Sequence, residues 1–183
     1  SAHHEITLVC EKRSNQTYQD IAEVSKICKK VVTVERRKQW SARNIVRSAT
    51  SSHSFLVMGH THSEMKEKIQ EVLSSDQFDL IHVETFYVMQ NLPETTIPIV
   101  LVEHNIEYTV YDKFALNVPL ILRPLLAIDI AKIKKEEQLS WKHADALVSV
   151  SKEDKRVMEQ VGCKPTLVSN GVNIDKFAMK NIQ

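Results

Sequence analysis

The sequence predicts an α/β fold, a Rossmann-like three-layer sandwich with a mostly parallel sheet. Two observations point there. Short β-rich apolar runs alternate with helical stretches about six times along the chain, the rhythm of βα units. The runs are continuously apolar instead of alternating, as strands buried on both faces read.

Ile6–Cys10 (ITLVC) reads as the first strand, and Thr17–Cys28 as a helix with Ile21, Val24 and Cys28 near helical spacing. Val31–Val34 is a second strand. Ser41–Ser48 reads as a basic helix, and the stretch from there to Gly59 is ambiguous between element types. Thr61 is expected to cap a helix, with Glu64 completing a capping box and Met65, Ile69 and Leu73 on one face. Phe78–Val83 is the third strand, followed by a short helical stretch up to Pro93, and Ile97–Val102 is the fourth. Leu120–His143 reads as a long helix with Pro124 in its first turn, where proline is tolerated. Ala146–Val150 is a strand, Glu153–Gln160 a helix stopped at Gly162, and Pro165–Val168 the last strand. Asn170-Gly171 is a turn signal.

Length and composition limit the functional classes. At 183 residues the chain accommodates one compact domain and a short tail. A net charge of +1 offers no bulk attraction to nucleic acid, and none is expected as a partner. With only three glycines, none in a GxGxxG or P-loop pattern, no phosphate-cradling loop is visible. Cys10, Cys28 and Cys163 are odd in number and widely spaced, so reduced buried thiols and a cytoplasmic location are expected. No apolar run approaches the ~20 residues of a membrane span, and the opening Ser-Ala-His-His-Glu does not read as a signal peptide.

In an open parallel sheet, ligands bind beyond the carboxyl ends of the strands. Glu11, Glu35-Arg36-Arg37, Glu84-Thr85, Glu103-His104-Asn105, Ser151 and Ser169-Asn170-Gly171 follow the successive strands. Either they line a site suited to a polyhydroxylated ligand, or they are polar because strand ends meet solvent. His104 is the sharpest candidate, since an imidazole can bond a sugar hydroxyl or a phosphate, or act as a base near neutral pH. His82, inside a strand, reads as a satisfied core histidine. His60 and His62 have no clear third ligand for zinc and are expected away from the strand-end group. Glu137 interrupts the apolar series Leu126, Ile130, Ile133 and Trp141; it is buried and paired, points into a cleft, or is solvated at the helix edge. Arg36, Arg37, Lys38, Arg43 and Arg47 surround Trp40, as a solvated face or as a contact for anionic lipid headgroups or an anionic acceptor.

Residues 144–177, ADALVSVSKEDKRVMEQVGCKPTLVSNGVNIDKF, resemble the end of the N-terminal domain of glycosyltransferase family 4, retaining enzymes of the GT-B fold. The matching features are Ala144-Asp145 before a strand, Ser151 after it, Asn170-Gly171-Val172 after the next, and Phe177. Asn173 stands where the family usually has Asp. Glu137, seven residues before Ala144, fits a glutamate common in the family. FDLIHVE (78–84) and IPIVLVEHN (97–105) resemble two of its strands, the second with its His-Asn end.

The resemblance implies one half of a GT-B fold: residues 1–172 as a Rossmann-like N-terminal domain and 173–183 as the start of an interdomain linker. ITLVC resembles the family's second strand, so its first strand and glycine-rich loop have no counterpart here. The implied activity is that of a glycosyltransferase, a hexosyltransferase when full-length, in glycan, polysaccharide or glycolipid synthesis. This half would hold a sugar or lipid-linked acceptor and be inactive alone. The nucleotide-sugar donor would bind mainly to a C-terminal domain, with no bound metal and no cofactor. His104 is implied as catalytic, with Glu84, Asn105, Ser151, Asn170 and Gly171 binding substrate. The expected location is cytoplasmic, peripheral to the inner face of the membrane through the basic cluster. The alternatives are a stand-alone flavodoxin-like binding or regulatory module and half of a UDP-sugar epimerase.

Overall fold

The computed structural model describes residues 3–36 and 42–172. Among the described residues six strands, all paired in parallel, alternate with helices. β1 (Thr7–Lys12) pairs with β2 (Lys30–Glu35) in a ladder of its own. β3 (Ile81–Glu84), β4 (Ile99–Glu103), β5 (Ala146–Ser149) and β6 (Thr166–Leu167) pair in sequential order in a second ladder. The fold is Rossmann-like, with its parallel strands divided between two ladders.

β4 is the centre of the larger ladder, with partners on both sides. Its alternation sends Ile99, Leu101 and Glu103 to one face, and all three are buried. Leu101 packs in one core with Phe86, Ile106, Ile133, Trp141 and Met158. Asp145 ties β5 to the start of β4: its carboxylate accepts from Ile99 N at 2.8 Å and its own N–H donates to Ile99 O at 3.0 Å. The Ala-Asp pair of the sequence motif therefore sets a strand start.

Among the helices, α1 (Tyr18–Ser25) begins at a capping box of Thr17 and Asp20. α2 (Ala42–Thr50) and α3 (Phe55–His60) resolve the stretch that is ambiguous in sequence, and Ser54 caps α3 by accepting from Val57 N. α4 (Ser63–Ser75) starts differently from expectation. Its N-cap is His62, whose Nδ1 accepts from Met65 N at 3.3 Å, while the Thr61 hydroxyl donates back to Val57 O at 2.8 Å. Thr61 closes the preceding helix, so the Thr61–Glu64 box does not form. A 3-10 segment (Phe86–Asn91) follows β3.

α5 (Glu107–Ala115) was not expected, because His104-Asn105-Ile106 supplies no Ser, Thr or Asp at the N-cap. A 3-10 turn (Leu120–Leu122) leads into α6 (Arg123–His143), which starts three residues later than its periodicity suggests. α7 (Lys152–Gln160) ends at Gly162, whose φ of +85° is the left-handed stop a glycine permits.

α6 is the strut of the domain. Asp129 accepts from Ser48 Oγ and Phe55 N, Lys132 Nζ donates to the carbonyls of Ser48 and Ser51, and Glu136 accepts from Ser54 N and bonds His53. These bonds fix the α2–α3 connection against α6. Lower on the same helix, Trp141 Nε1 donates to Glu103 at 3.1 Å. Glu137 holds the start of α5.

Arg37, Lys38, the Arg43 side chain and residues 173–183, where a linker is expected, lie outside the described residues. Arg36 turns toward Glu11, with Nε 3.6 Å from its carboxylate, and Arg47 is exposed on α2. Cys10, Cys28 and Cys163 are free thiols, half-buried and not fully enclosed. No helix among the described residues is long and apolar enough to cross a membrane.

Candidate functional site

Because every pair in the larger ladder is parallel, the residues after β3, β4, β5 and β6 emerge at one carboxyl edge. Glu84 ends β3, and His104 follows β4 directly. His104 Nε2 lies 2.5 Å from Glu84 Oε2, so the two bridge neighbouring strand ends. His82 Nε2 bonds the other oxygen of the same carboxylate at 3.0 Å. Both imidazoles are about half exposed. His82 is therefore no core histidine. Ile81 and Val83 occupy the covered face of β3, and strand alternation sends His82 and Glu84 to the other, at the edge of the ladder.

Between Glu84 and the 3-10 segment sits Thr85, with φ +75° and ψ +145°. A β-branched residue at positive φ is strained. The Thr85 N–H donates to Val102 O at 2.9 Å, and its hydroxyl is buried with no hydrogen-bond partner. Strain and an unpaired buried hydroxyl next to an exposed Glu–His pair are the combination that functional sites retain. No sequence signal marks Thr85, because its neighbours read as an ordinary strand end.

A second polar group meets the first ladder. Glu11, near the end of β1, is bonded by His60 Nδ1 at 3.2 Å, and His62 Nε2 lies 3.4 Å from its other oxygen, outside hydrogen-bond geometry. Burial alone would raise the Glu11 carboxyl, but the hydrogen bond and charge of His60, the charge of Arg36 and the His62 ring hold it below the ordinary carboxylate value. His60 stacks on Tyr87 with centroids 4.5 Å apart; burial raises the Glu107 carboxyl at the start of α5, and His60 only partly opposes that. His60 and His62 are thus brought to the carboxyl side, contrary to expectation. Asn91 does this: its side chain donates to His60 O at 2.7 Å and accepts from His62 N at 3.2 Å. That bridge spans 31 residues in sequence, which local pattern cannot anticipate. Among the described residues, no group of three His, Cys, Asp or Glu side chains is arranged to hold a metal.

Two buried carboxyls support the edge from below. Glu103 was grouped with the strand-end residues, but it points into the core with none of its surface exposed. Desolvation, then the nearby Glu137, push it up to about 9 against the hydrogen bond from Trp141 and the proximity of Phe86 N–H, and its Oε2 has no hydrogen-bond partner. Glu137 is equally buried and is pushed up to about 8 by desolvation. It accepts from Glu107 N at 2.8 Å and Tyr108 N at 3.2 Å. The N-cap residue Ile106 has no capping side chain, so Glu137 caps α5 from another helix. It thereby fixes the three residues, His104, Asn105 and Ile106, that join β4 to α5.

The remaining candidates separate. Asn105 is exposed beside His104. Ser151 is the N-cap of α7; its hydroxyl accepts from Asp154 N at 3.0 Å and bonds Asp154 Oδ2 at 2.7 Å. Asn170 and Gly171 lie exposed beyond β6, with open space around Gly171.

A parallel-stranded Rossmann-like domain with a Glu–His pair at its carboxyl edge is the setting in which one family model matches, Glycosyltransferase Family 4, over residues 1–176. The chain belongs to glycosyltransferase family 4. It is a glycosyltransferase-type domain, one half of a GT-B fold. No curated protein and no solved structure matches it significantly. Three motif residues of this glycosyltransferase domain have structural tasks: Asp145 ties two strands, Glu137 caps α5 and Ser151 caps α7.

Proposed function

We propose that this domain is the acceptor-side half of a retaining hexosyltransferase that moves a sugar from a nucleotide sugar to an acceptor hydroxyl. In the net reaction the bond from the anomeric carbon to the diphosphate breaks and a bond to the acceptor oxygen forms. The acceptor's proton leaves with the diphosphate. Family membership supports the reaction class, and the Glu84–His104 pair at the carboxyl edge carries the assignment to this site.

In this reading His104 bonds the transferring sugar or the acceptor, and Glu84 fixes the ring through Nε2. The donor diphosphate is held by a second domain, so the chain alone does not turn over and binds nucleotide sugar weakly. We further propose that another strand of the full-length protein joins the two parallel ladders, since a doubly wound sheet keeps its first strand central.

The test is His104→Ala in the full-length enzyme. A hydrogen bond stronger in the transition state than in the ground state is lost, so kcat is expected to fall roughly 10²-fold or more, with a smaller change in KM. His104→Asn keeps a donor of similar reach and should lose less. Unchanged kcat in a His104→Ala variant with a normal melting curve removes His104 from the site. Sub-millimolar binding of UDP- or GDP-sugars to the isolated chain by calorimetry overturns the division of labour between two domains.

A further inference from the structure

We infer that His82 is a positioning residue for His104 and acts through Glu84, the three side chains forming one hydrogen-bonded chain across neighbouring strand ends. The inference rests on the proposed role of His104 and extends the site to a residue that the sequence reads as core. The sheet sets the arrangement. β3 and β4 pair in parallel, with His82 opposite Val100 and Glu84 opposite Val102. Side chains alternate along a strand, so His82 and Glu84 share the face of Val100 and Val102, and His104, two residues past Val102, continues that face. Thr85 N–H donates to Val102 O at 2.9 Å, which carries the pairing past Glu84. His82 and Glu84 therefore stand on paired backbone, where side chains are placed more narrowly than on a loop.

A single exposed carboxylate–imidazole contact contributes little, because solvent competes for both groups. The Glu84 side chain is 58% exposed, and with one partner its carboxylate would be free to turn. Both of its oxygens are taken instead: His82 Nε2 lies 3.0 Å from Oε1 and His104 Nε2 lies 2.5 Å from Oε2. A carboxylate only accepts, so both Nε2 atoms donate. The bond made by one ring nitrogen fixes the tautomer and the ring plane, and it leaves His104 Nδ1 as the ring atom for a substrate hydroxyl. Among the described residues Glu84 is the one charged partner of either ring. His82 packs in no core and caps no helix, so its hold on Oε1, which keeps Oε2 aimed at His104, is the task its position gives it.

The test pairs a spectrum with kinetics. Nitrogen-15 NMR of the imidazoles in the 183-residue chain, at about pH 8.5 where a free imidazole is neutral, reads the tautomer. His104 is expected to carry its proton on Nε2 in the parent and in His82→Gln, whose amide puts a donor near the same place. In His82→Leu a mixture of the two tautomers is expected. In the full-length enzyme His82→Leu should lower kcat about tenfold with KM within about twofold, and His82→Gln should keep most of the parent's rate. With Glu84→Ala already in place, His82→Leu should cost no more than about twofold further, because its effect runs through that carboxylate. The His82 side chain is already half in solvent, so both variants should melt with the parent. An unchanged His104 tautomer in a folded His82→Leu chain overturns the inference. So does a loss of kcat that His82→Gln shares in full, or one that persists undiminished beside Glu84→Ala. The spectrum needs no sugar transfer. A tautomer that responds to His82 while His104→Ala keeps full kcat would therefore refute the proposed role of His104 and not the hydrogen-bonded chain.

Discussion

Replacing Glu137 by alanine probes how the candidate site is held. Glu137 is the partner of both Glu107 N and Tyr108 N, and the Ile106 N-cap offers no substitute. Tyr108 is buried, so water does not readily replace the lost acceptor. Leaving a buried donor unpaired costs about 1–3 kcal/mol, and loss of a cap costs about 0.5–2 kcal/mol. Part of this is returned, because a carboxyl raised to about 8 is poorly accommodated in its charged form. The cap and the buried donor are the same bonds, so they count once, and a net loss of about 2 kcal/mol is expected. At about 2–4 °C per kcal/mol for a domain of this size, the melting temperature should drop by roughly 4–8 °C. Glu137→Gln keeps one acceptor oxygen and removes the ionisable proton, so it should lose about 1 kcal/mol. Urea unfolding followed by tryptophan fluorescence measures both variants. An alanine variant within about 0.5 kcal/mol of the parent would refute the capping argument. A glutamine variant as unstable as the alanine one would show that side-chain packing, and not the acceptor, matters.

Two further perturbations follow from the same region. Glu103, held at about 9 when folded, binds its proton more tightly in the native than in the unfolded chain, so it stabilises at low pH and that contribution fades as pH rises from about 4.5 to 9. Glu103→Gln should flatten the fall in stability between pH 5 and pH 9, leaving the smaller slope due to Glu137; a slope equal to the parent's would count against it. Thr85→Gly relieves a positive-φ strain of about 1–3 kcal/mol against a glycine entropy cost of about 0.5–1 kcal/mol, so thermal unfolding should show a gain of roughly 1 kcal/mol. A loss of more than about 1 kcal/mol would show that Thr85 is held by contacts and not strained.

The order of elements was legible because burial writes itself into composition. Ile99–Val102 and Ala146–Val148 are apolar runs because they belong to covered strands, and Leu126, Ile130, Ile133 and Trp141 repeat at helical spacing because one side of α6 meets the core. α5 was not legible, since its cap arrives from Glu137, thirty residues away. The Thr61 expectation failed for a related reason: a local Thr-x-x-Glu pattern competed with a histidine cap that Asn91 positions from after β3.

The same division runs through the candidate site. Parallel strand order alone brings Glu84 and His104 to one edge, so their neighbourhood follows from sequence once the strands are identified. Sequence could not tell Glu103 from His104, adjacent polar residues at one strand end, yet alternation turns the first into the core and leaves the second in solvent. Nor could it place His60 beside Glu11 or strain Thr85, because those depend on packing between distant segments. By itself the sequence determined the fold class, the family motifs and which strand ends carry polar groups, since periodicity and composition are local. Tertiary structure alone decided which polar groups face solvent, which cap a neighbouring helix and which carboxyls meet in the core, because each requires two chain segments to meet.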